Sequence, residues 1–186
     1  EAWISKNALA TGMEILTYGG GPAGNAGKLL IYTDTGNRFG FAQRTDGGTE
    51  NLIRTTDGIL STANQWYHVV ATSDGSQYKL SVDGVEKGFS VVLGSNNGDW
   101  FAETSLAEPD ATVLRVEYVG GSYSAYFAGL IDNVRVYDYE RTPAQIAWSY
   151  NQGKPVGHWK LNECSGLNAY DSSGNGNTGT ISIGAT

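Results

Sequence analysis

The sequence predicts an all-β protein, a two-sheet antiparallel β-sandwich with one short helix near residues 143–150. Three observations carry that expectation. Glycine is abundant, at 26 of 186 residues, beside 11 Tyr and 5 Trp, while Lys and Arg together number only 12. Such a composition suits short strands with many turns better than helices. Apolar and polar residues alternate in short runs that end at Gly-rich or Asp-Gly turns. Only one stretch carries a good helix signal, and no βαβ rhythm is present.

In chain order, residues 1–5 (EAWIS) read as a short strand and 13–20 (MEILTYGG) as the next, followed by a Gly-rich turn. Residues 28–34 and 38–44 flank Thr35-Gly36-Asn37 and form a predicted hairpin. Another Gly-Gly turn precedes a strand at 50–56. Residues 65–92 are the best-defined unit. Trp66, His68, Val70 and Thr72 alternate with Tyr67, Val69 and Ala71, and Asp74-Gly75 leads into Tyr78, Leu80 and Val82. A second pair, Asp83-Gly84, turns the chain again. Asp-Gly supplies the positive φ angles of tight hairpins, so a three-stranded meander follows. Residues 94–112 read as a long acidic loop, and 113–119 as a strand. Thr142-Pro143-Ala144-Gln145 combines an N-cap, proline at the first helical position and a capping-box glutamine. It predicts about two turns of helix, to Tyr150, stopped by Gly153-Lys154-Pro155. Beyond it, 157–163 alternates as a strand with Trp159, Leu161 and Glu163 on one face, and 171–183 is a turn-rich loop entering a last strand at 180–183.

The stretch from Tyr126 to Tyr139 stands out. Leu130, Asp132, Val134 and Val136 share one face of the alternation; Phe127, Ile131, Asn133, Arg135 and Tyr137 share the other. A strand apolar on both faces is expected inside a sheet and covered on both sides. Asp132 on the aliphatic face then needs a partner, because an isolated buried carboxylate is very costly.

The formal net charge of −7 argues against nucleic acid and anionic membrane as partners. No apolar run is long enough to span a bilayer, so membrane insertion is not expected. With a single Cys164 no internal disulfide forms, and a free thiol is expected. His68 and His158 are the only histidines. His68, on the face of Trp66 and Val70, reads as a core histidine. A chain that starts at Glu1 without Met or a signal peptide reads as an excised or processed piece.

Three motifs together resemble the laminin-G-like (concanavalin A-like) jelly-roll superfamily. They are Trp66-x-His68-Val69 with Asp74-Gly75 and Val82-Asp83-Gly84; Gly129-Leu-Ile-Asp132-Asn-Val-Arg135-Val-Tyr137 with the Thr142-Pro-x-Gln-Ile helix; and His158-Trp-Lys-Leu-Asn-Glu163 with Asp171-Ser-Ser-Gly-Asn-Gly-Asn-Thr-Gly179. The resemblance implies a jelly roll, an extracellular or cell-surface setting, and non-catalytic recognition of glycans or of cell-surface proteins. The motif order departs from the family, whose third motif normally opens a domain. Residues 1–152 therefore read as a jelly-roll body without its usual N-terminal strands, 153–155 as a linker, and 156–186 as an opening segment docked on the body of the same chain or a neighbour. Docking on a neighbour would make the segment a means of self-association.

The resemblance also places the family's opening strand near its last long strand, so Glu163 and Asp171 are expected to converge on Asp132. Clustered carboxylates with Asn175 and Asn177 in a Gly-rich loop form an oxygen set suited to a structural Ca²⁺. The competing reading of 171–177 is a plain Asx turn. Sugars stack on exposed aromatics, and Trp100, Phe101, Tyr123 and Tyr126 flank loops where such contacts occur. A glycoside hydrolase remains a remote alternative. It would need two carboxylates roughly 5–5.5 Å apart, and the nearest match, Glu108-Pro109-Asp110, lacks a third acid and lies in a loop. A structural subunit whose 156–186 segment completes a neighbouring sandwich is the main alternative to a recognition module.

Overall fold

The computed structural model describes residues 1–19, 28–44, 50–100, 111–113, 118–119, 122–123, 126–152 and 154–182. Among these described residues fifteen strands and one helix follow in order. They are β1 Ala2–Lys6, β2 Met13–Gly19, β3 Lys28–Thr33, β4 Phe39–Arg44, β5 Glu50–Thr55, β6 Trp66–Ser73, β7 Tyr78–Val82, β8 Val85–Lys87 and β9 Phe89–Leu93, then β10 Ala111–Val113, β11 Tyr118–Val119, β12 Ser122–Tyr123, β13 Gly129–Asp132, α1 Pro143–Asn151, β14 Asn168–Ala169 and β15 Gly179–Thr180. Two antiparallel sheets make the sandwich, in the orders β13-β1-β6-β7-β8 and β10-β2-β3-β4-β5-β9. The predicted all-β class holds.

Period-two alternation drives the inner faces of both sheets together. Ile4, Tyr67, Val69, Leu80 and Val82 of the five-stranded sheet meet Ile15, Leu29, Phe39, Phe41 and Ile53 of the six-stranded one in a single core cluster. Each such side chain stabilises the fold by about 1.5–3 kcal/mol relative to an exposed one. The meander of β6, β7 and β8 forms as expected. Asp83 and Gly84 both take positive φ, 52° and 77°, in the second of its turns. Residues 85–93 divide at Gly88, because β8 pairs with β7 whereas β9 crosses to β5 of the other sheet. The helix starts as its sequence dictates, with the reciprocal capping box between Thr142 and Gln145, and Gln152 ends it in the left-handed conformation.

Three expectations are corrected. The 126–139 stretch is not an internal strand; only Gly129–Asp132 pairs, at the edge of the five-stranded sheet, against β1. Asn133 takes φ 50° and breaks the alternation, so Ile131 and Val134 pack against the core while Leu130 and Val136 stay exposed. Nor does 157–163 form a strand. It holds a lone bridge between Trp159 and Asp171, and Leu161 sits at φ 52°. The expected last strand at 180–183 reduces, among the described residues, to the Gly179–Thr180 pairing with Asn168–Ala169.

The described hydrogen bonds of 156–182 reach no farther back than Pro155, to which Asn175 donates. Trp159, Leu161, Leu167 and Tyr170 are exposed there. Trp66 and Trp148 are also exposed. Trp3, in contrast, stacks on Tyr150 of α1 with centroids 5.8 Å apart.

Candidate functional site

The outer face of the six-stranded sheet is written in alternate residues. Since Leu29, Ile31, Phe41 and Ile53 point inward, Lys28, Leu30 and Tyr32 of β3, Gly40, Ala42 and Arg44 of β4, and Glu50, Leu52 and Arg54 of β5 point the other way. The register aligns them in rows. Glu14, Tyr32, Gly40, Arg54 and Ser90 run across the sheet at one end, and Lys28, Arg44 and Glu50 at the other. The centre, at Leu30 and Ala42, is buried, whereas Tyr32, Arg38 and Arg54 keep partial exposure.

Gly40 decides how the first row packs. A Cβ there would lie 2.3 Å from Cζ of Tyr32, so the tyrosine ring lies across the glycine and no larger residue fits beneath it. Arg54 flanks the same glycine on the opposite side. Asp34, in the β3–β4 turn, then orders the surrounding charges. Its Oδ2 accepts from Arg38 Nε at 2.8 Å and Arg54 Nη1 at 3.0 Å, and its Oδ1 accepts from the backbone N–H groups of Gly36 and Arg38. Burial pushes the Asp34 carboxyl up, but the Arg38 hydrogen bonds and charge outweigh it and hold the group below its ordinary range. Burial, with Asp34 and Glu50 nearby, pushes the Tyr32 phenol up to about 12 despite Arg54, so it stays neutral. At the far end Glu50 pairs with Lys28 at 3.1 Å and Arg44 at 3.9 Å. An aromatic ring beside fixed polar groups is what sugar recognition requires.

None of these residues was singled out from the sequence as a ligand contact. The signal was there: charged or aromatic residues two apart on apolar strands, as in Lys28-x-Leu30-x-Tyr32 and Glu50-x-Leu52-x-Arg54.

Of the aromatics expected to bind sugar, Trp100 is half-buried, stacks on Phe41 at 5.1 Å and packs against the core. Tyr126 is exposed. Tyr123 belongs to β12, paired with β11, and its side chain lies outside the described residues, as do Phe101 and the Glu108–Asp110 pair. Trp100 also lines a larger cleft of about 360 Å³ between the sheets, with Tyr137 and Tyr139 at its side. Three of the four acids that line that cleft, Glu1, Asp74 and Glu140, are committed to ion pairs; Asp138 is the fourth. Lys79 bridges Glu140 at 2.8 Å and Asp74 at 3.6 Å, while Glu1 faces Arg135 at 3.3 Å. Hydrogen bonds from Ser76 and Gln77 hold Asp74 far below the ordinary carboxylate range, the opposite of what a glycosidase acid requires.

The expected calcium set does not assemble. Among the described residues no three His, Cys, Asp or Glu side chains gather where a metal would fit, so Asp132, Glu163 and Asp171 form no such site. Asp171 instead closes an Asx-type turn. Its Oδ1 accepts from the N–H of His158 and Ser173, and its Oδ2 from Ser173 Oγ and the N–H of Asn177. Those bonds, the His158 one foremost, push its carboxyl far down. Asn175 and Asn177 both donate their side-chain amides to the Val156 carbonyl. Glu163 accepts from the Tyr170 N–H. Exposed Asp132 accepts from the Asn133 N–H and so needs no buried partner. N–H and hydroxyl donors thus take both oxygens of Asp171, and a calcium ion there would have to displace them.

Fold and outer face together define a jelly-roll sandwich with a polar sheet face, a class that comparison with known proteins makes specific. The family model described as "Concanavalin A-like lectin/glucanases superfamily" matches residues 1–147, and the chain belongs to that family. No curated protein matches it in sequence. Among solved structures, the chain is similar to the Ruminococcus gnavus IT-sialidase CBM40 bound to alpha2,3 sialyllactose. Identity is 18%, the TM-score is 0.63, and 80% of this chain and 79% of that one are covered. It is also similar to the heptameric SAP-like pentraxin of Limulus polyphemus, at 15% identity and TM-score 0.56, over 80% of this chain and 67% of that one. A Bacteroides ovatus protein described as a candidate carbohydrate binding protein matches at 19% identity and TM-score 0.54, over 98% of this chain and 53% of that one. At these identities the likeness is one of fold.

Proposed function

We propose that the protein is a non-catalytic carbohydrate-recognition module of extracellular setting, which binds glycan at the Tyr32 end of its six-stranded sheet. The Tyr32–Gly40–Arg54 row carries this reading: a ring laid across a glycine, with two guanidinium groups fixed beside it by Asp34. The known relatives of similar fold support it, since one is bound to a sialylated sugar and another is described as carbohydrate binding. No described helix is long and apolar enough to cross a membrane.

A glycan array followed by titration calorimetry tests the reading. Removing the stacking ring in Tyr32→Ala is expected to weaken binding about tenfold or more, the equivalent of about 1.4 kcal/mol. If Tyr126→Ala abolishes binding and Tyr32→Ala does not, the site moves to the exposed loop beside β13. A chain that binds no glycan sinks the reading, and a cell-surface protein becomes the partner to pursue.

A second reading rests on a separate observation. Residues 156–182 expose Val156, Trp159, Leu161, Leu167 and Tyr170, more apolar surface than so short a segment covers by itself. β13 ends its sheet as an edge strand with Leu130 exposed. The segment is suited to dock against an apolar face, on its own body or on a neighbouring copy. Deleting 156–186 and measuring mass by light scattering separates the two. A smaller assembly of folded monomers indicates docking between copies, and an insoluble monomer indicates docking within one. Unchanged mass and melting temperature remove the docking reading altogether.

A further inference from the structure

The donors and acceptors around Tyr32 are unequal in number, and the imbalance points to a class of sugar. Arg38 and Arg54 converge on one carboxylate, Asp34, at 2.8 and 3.0 Å. Asp34 is thereby used up. Its two oxygens already take two backbone N–H groups and two guanidinium groups. It also balances only one of the two positive charges. The guanidinium groups are not used up: among the described residues each makes one hydrogen bond, Arg38 through Nε and Arg54 through Nη1. Their other N–H groups are left for a ligand, on side chains 29% and 31% exposed. Tyr32 adds no free donor, because its hydroxyl donates toward the Ile53 carbonyl at 3.5 Å, and its ring rather than its hydroxyl is what it offers a sugar.

A neutral sugar is gripped through acceptors that take its hydroxyl protons and donors that meet its oxygens. This corner offers guanidinium donors in excess of those Asp34 engages, on a chain of net charge −7. A ligand that satisfies it brings acceptors, and a planar carboxylate meets guanidinium groups best, by paired charge-assisted hydrogen bonds. We infer that, given glycan binding at this face, the preferred ligand is an acidic sugar whose carboxylate is held between Arg38 and Arg54 while its ring lies on Tyr32. Asp34 is a positioning residue that fixes both guanidinium groups.

The test uses matched oligosaccharides that differ only at the acid: a carboxylated sugar, its methyl ester, and a sulfated analogue, each titrated at low and physiological salt. The carboxylated form is expected to bind about tenfold or more tightly than its ester, with the difference shrinking as salt rises. Arg38→Gln and Arg54→Gln are expected to bind acid and ester alike, and Arg54→Lys to recover part of the preference. Thermal melts of each variant confirm that it is folded. Equal binding of acid and ester by the unaltered protein overturns this inference and leaves the glycan reading standing. A preference for the sulfated sugar over the carboxylated one overturns the carboxylate assignment. Binding of none of the three, with none on the array, overturns both.

Discussion

Tyr78→Ala is expected to cost about 3–5 kcal/mol of folding stability, the range for removing a large aromatic from a packed core. Tyr78 is fully buried, and its ring lies 4.9 Å from Phe41, which in turn stacks on Trp100. Its hydroxyl donates to the Asp99 carbonyl at 2.7 Å and lies 3.1 Å from Asn97 Oδ1. One side chain therefore joins the inner faces of both sheets to the 94–99 loop. Tyr78→Phe keeps the ring and removes the hydroxyl, and about 1–1.5 kcal/mol is expected for it. Urea titrations of the three proteins read both values. An alanine variant within 1 kcal/mol of the parent would mean that the sheets are held together elsewhere.

Stability is also expected to fall as pH drops from about 6.5 to 4, because of His68. The ring is 1% exposed, 5.2 Å from the Trp3 ring and near Tyr150 of α1. Its Nδ1 has no hydrogen-bond partner among the described residues. Burial lowers its pKa to about 4; the Glu1 carboxylate, 3.8 Å from Nε2, opposes the shift, and the Glu1 ammonium, Arg141 and Arg135 reinforce it. The unfolded chain takes up the proton near pH 6.5, whereas the folded chain resists it until about pH 4. Between those values the unfolded state binds more protons. The stabilisation is thus complete above pH 6.5 and lost progressively down to pH 4, a change on the order of 2 kcal/mol once solvent screening at the cluster's edge is discounted. Denaturant midpoints at pH 7 and 4.5 measure it, and His68→Gln is expected to flatten the slope. An identical slope in that variant assigns the loss to other groups.

How far the sequence was legible depended on how local each signal was. Asp83-Gly84 encodes its own turn, and Thr142 and Gln145 encode their own cap; both form as read. The 126–139 stretch failed because one residue, Asn133, adopts a left-handed conformation and shifts the phase of every side chain after it. Leu161 at φ 52° did the same to the 157–163 stretch. Asn tolerates that region and Leu rarely enters it, so neither departure is visible in an apolar–polar pattern. The calcium expectation turned on a related ambiguity. Asp171-x-Ser173-x-Asn175 serves a metal loop or an Asx turn equally well in sequence, and only the N–H groups surrounding Asp171 separate the two. The Tyr32 face was missed because charges two apart on a strand read as plain solvent exposure. Gly40, which gives that face its shape, has no side chain to notice.

The pairing of β1 with β13 has a consequence for how the chain comes together. Trp3 lies opposite Asp132, and Glu1 and Arg135 exchange backbone hydrogen bonds across 134 residues of sequence. β1 therefore sits between β6, its neighbour on one side, and a strand synthesised long after it. A chain emerging from the ribosome can close the β6–β7–β8 meander early, since those contacts are local. The seam at β1 must wait for Arg135. Contacts this distant in sequence slow folding, because the loop entropy is lost before the pairing rewards it. Through that interval β1 presents a bare edge to the surrounding solution, so the last step of assembly is also the one most open to capture by another chain.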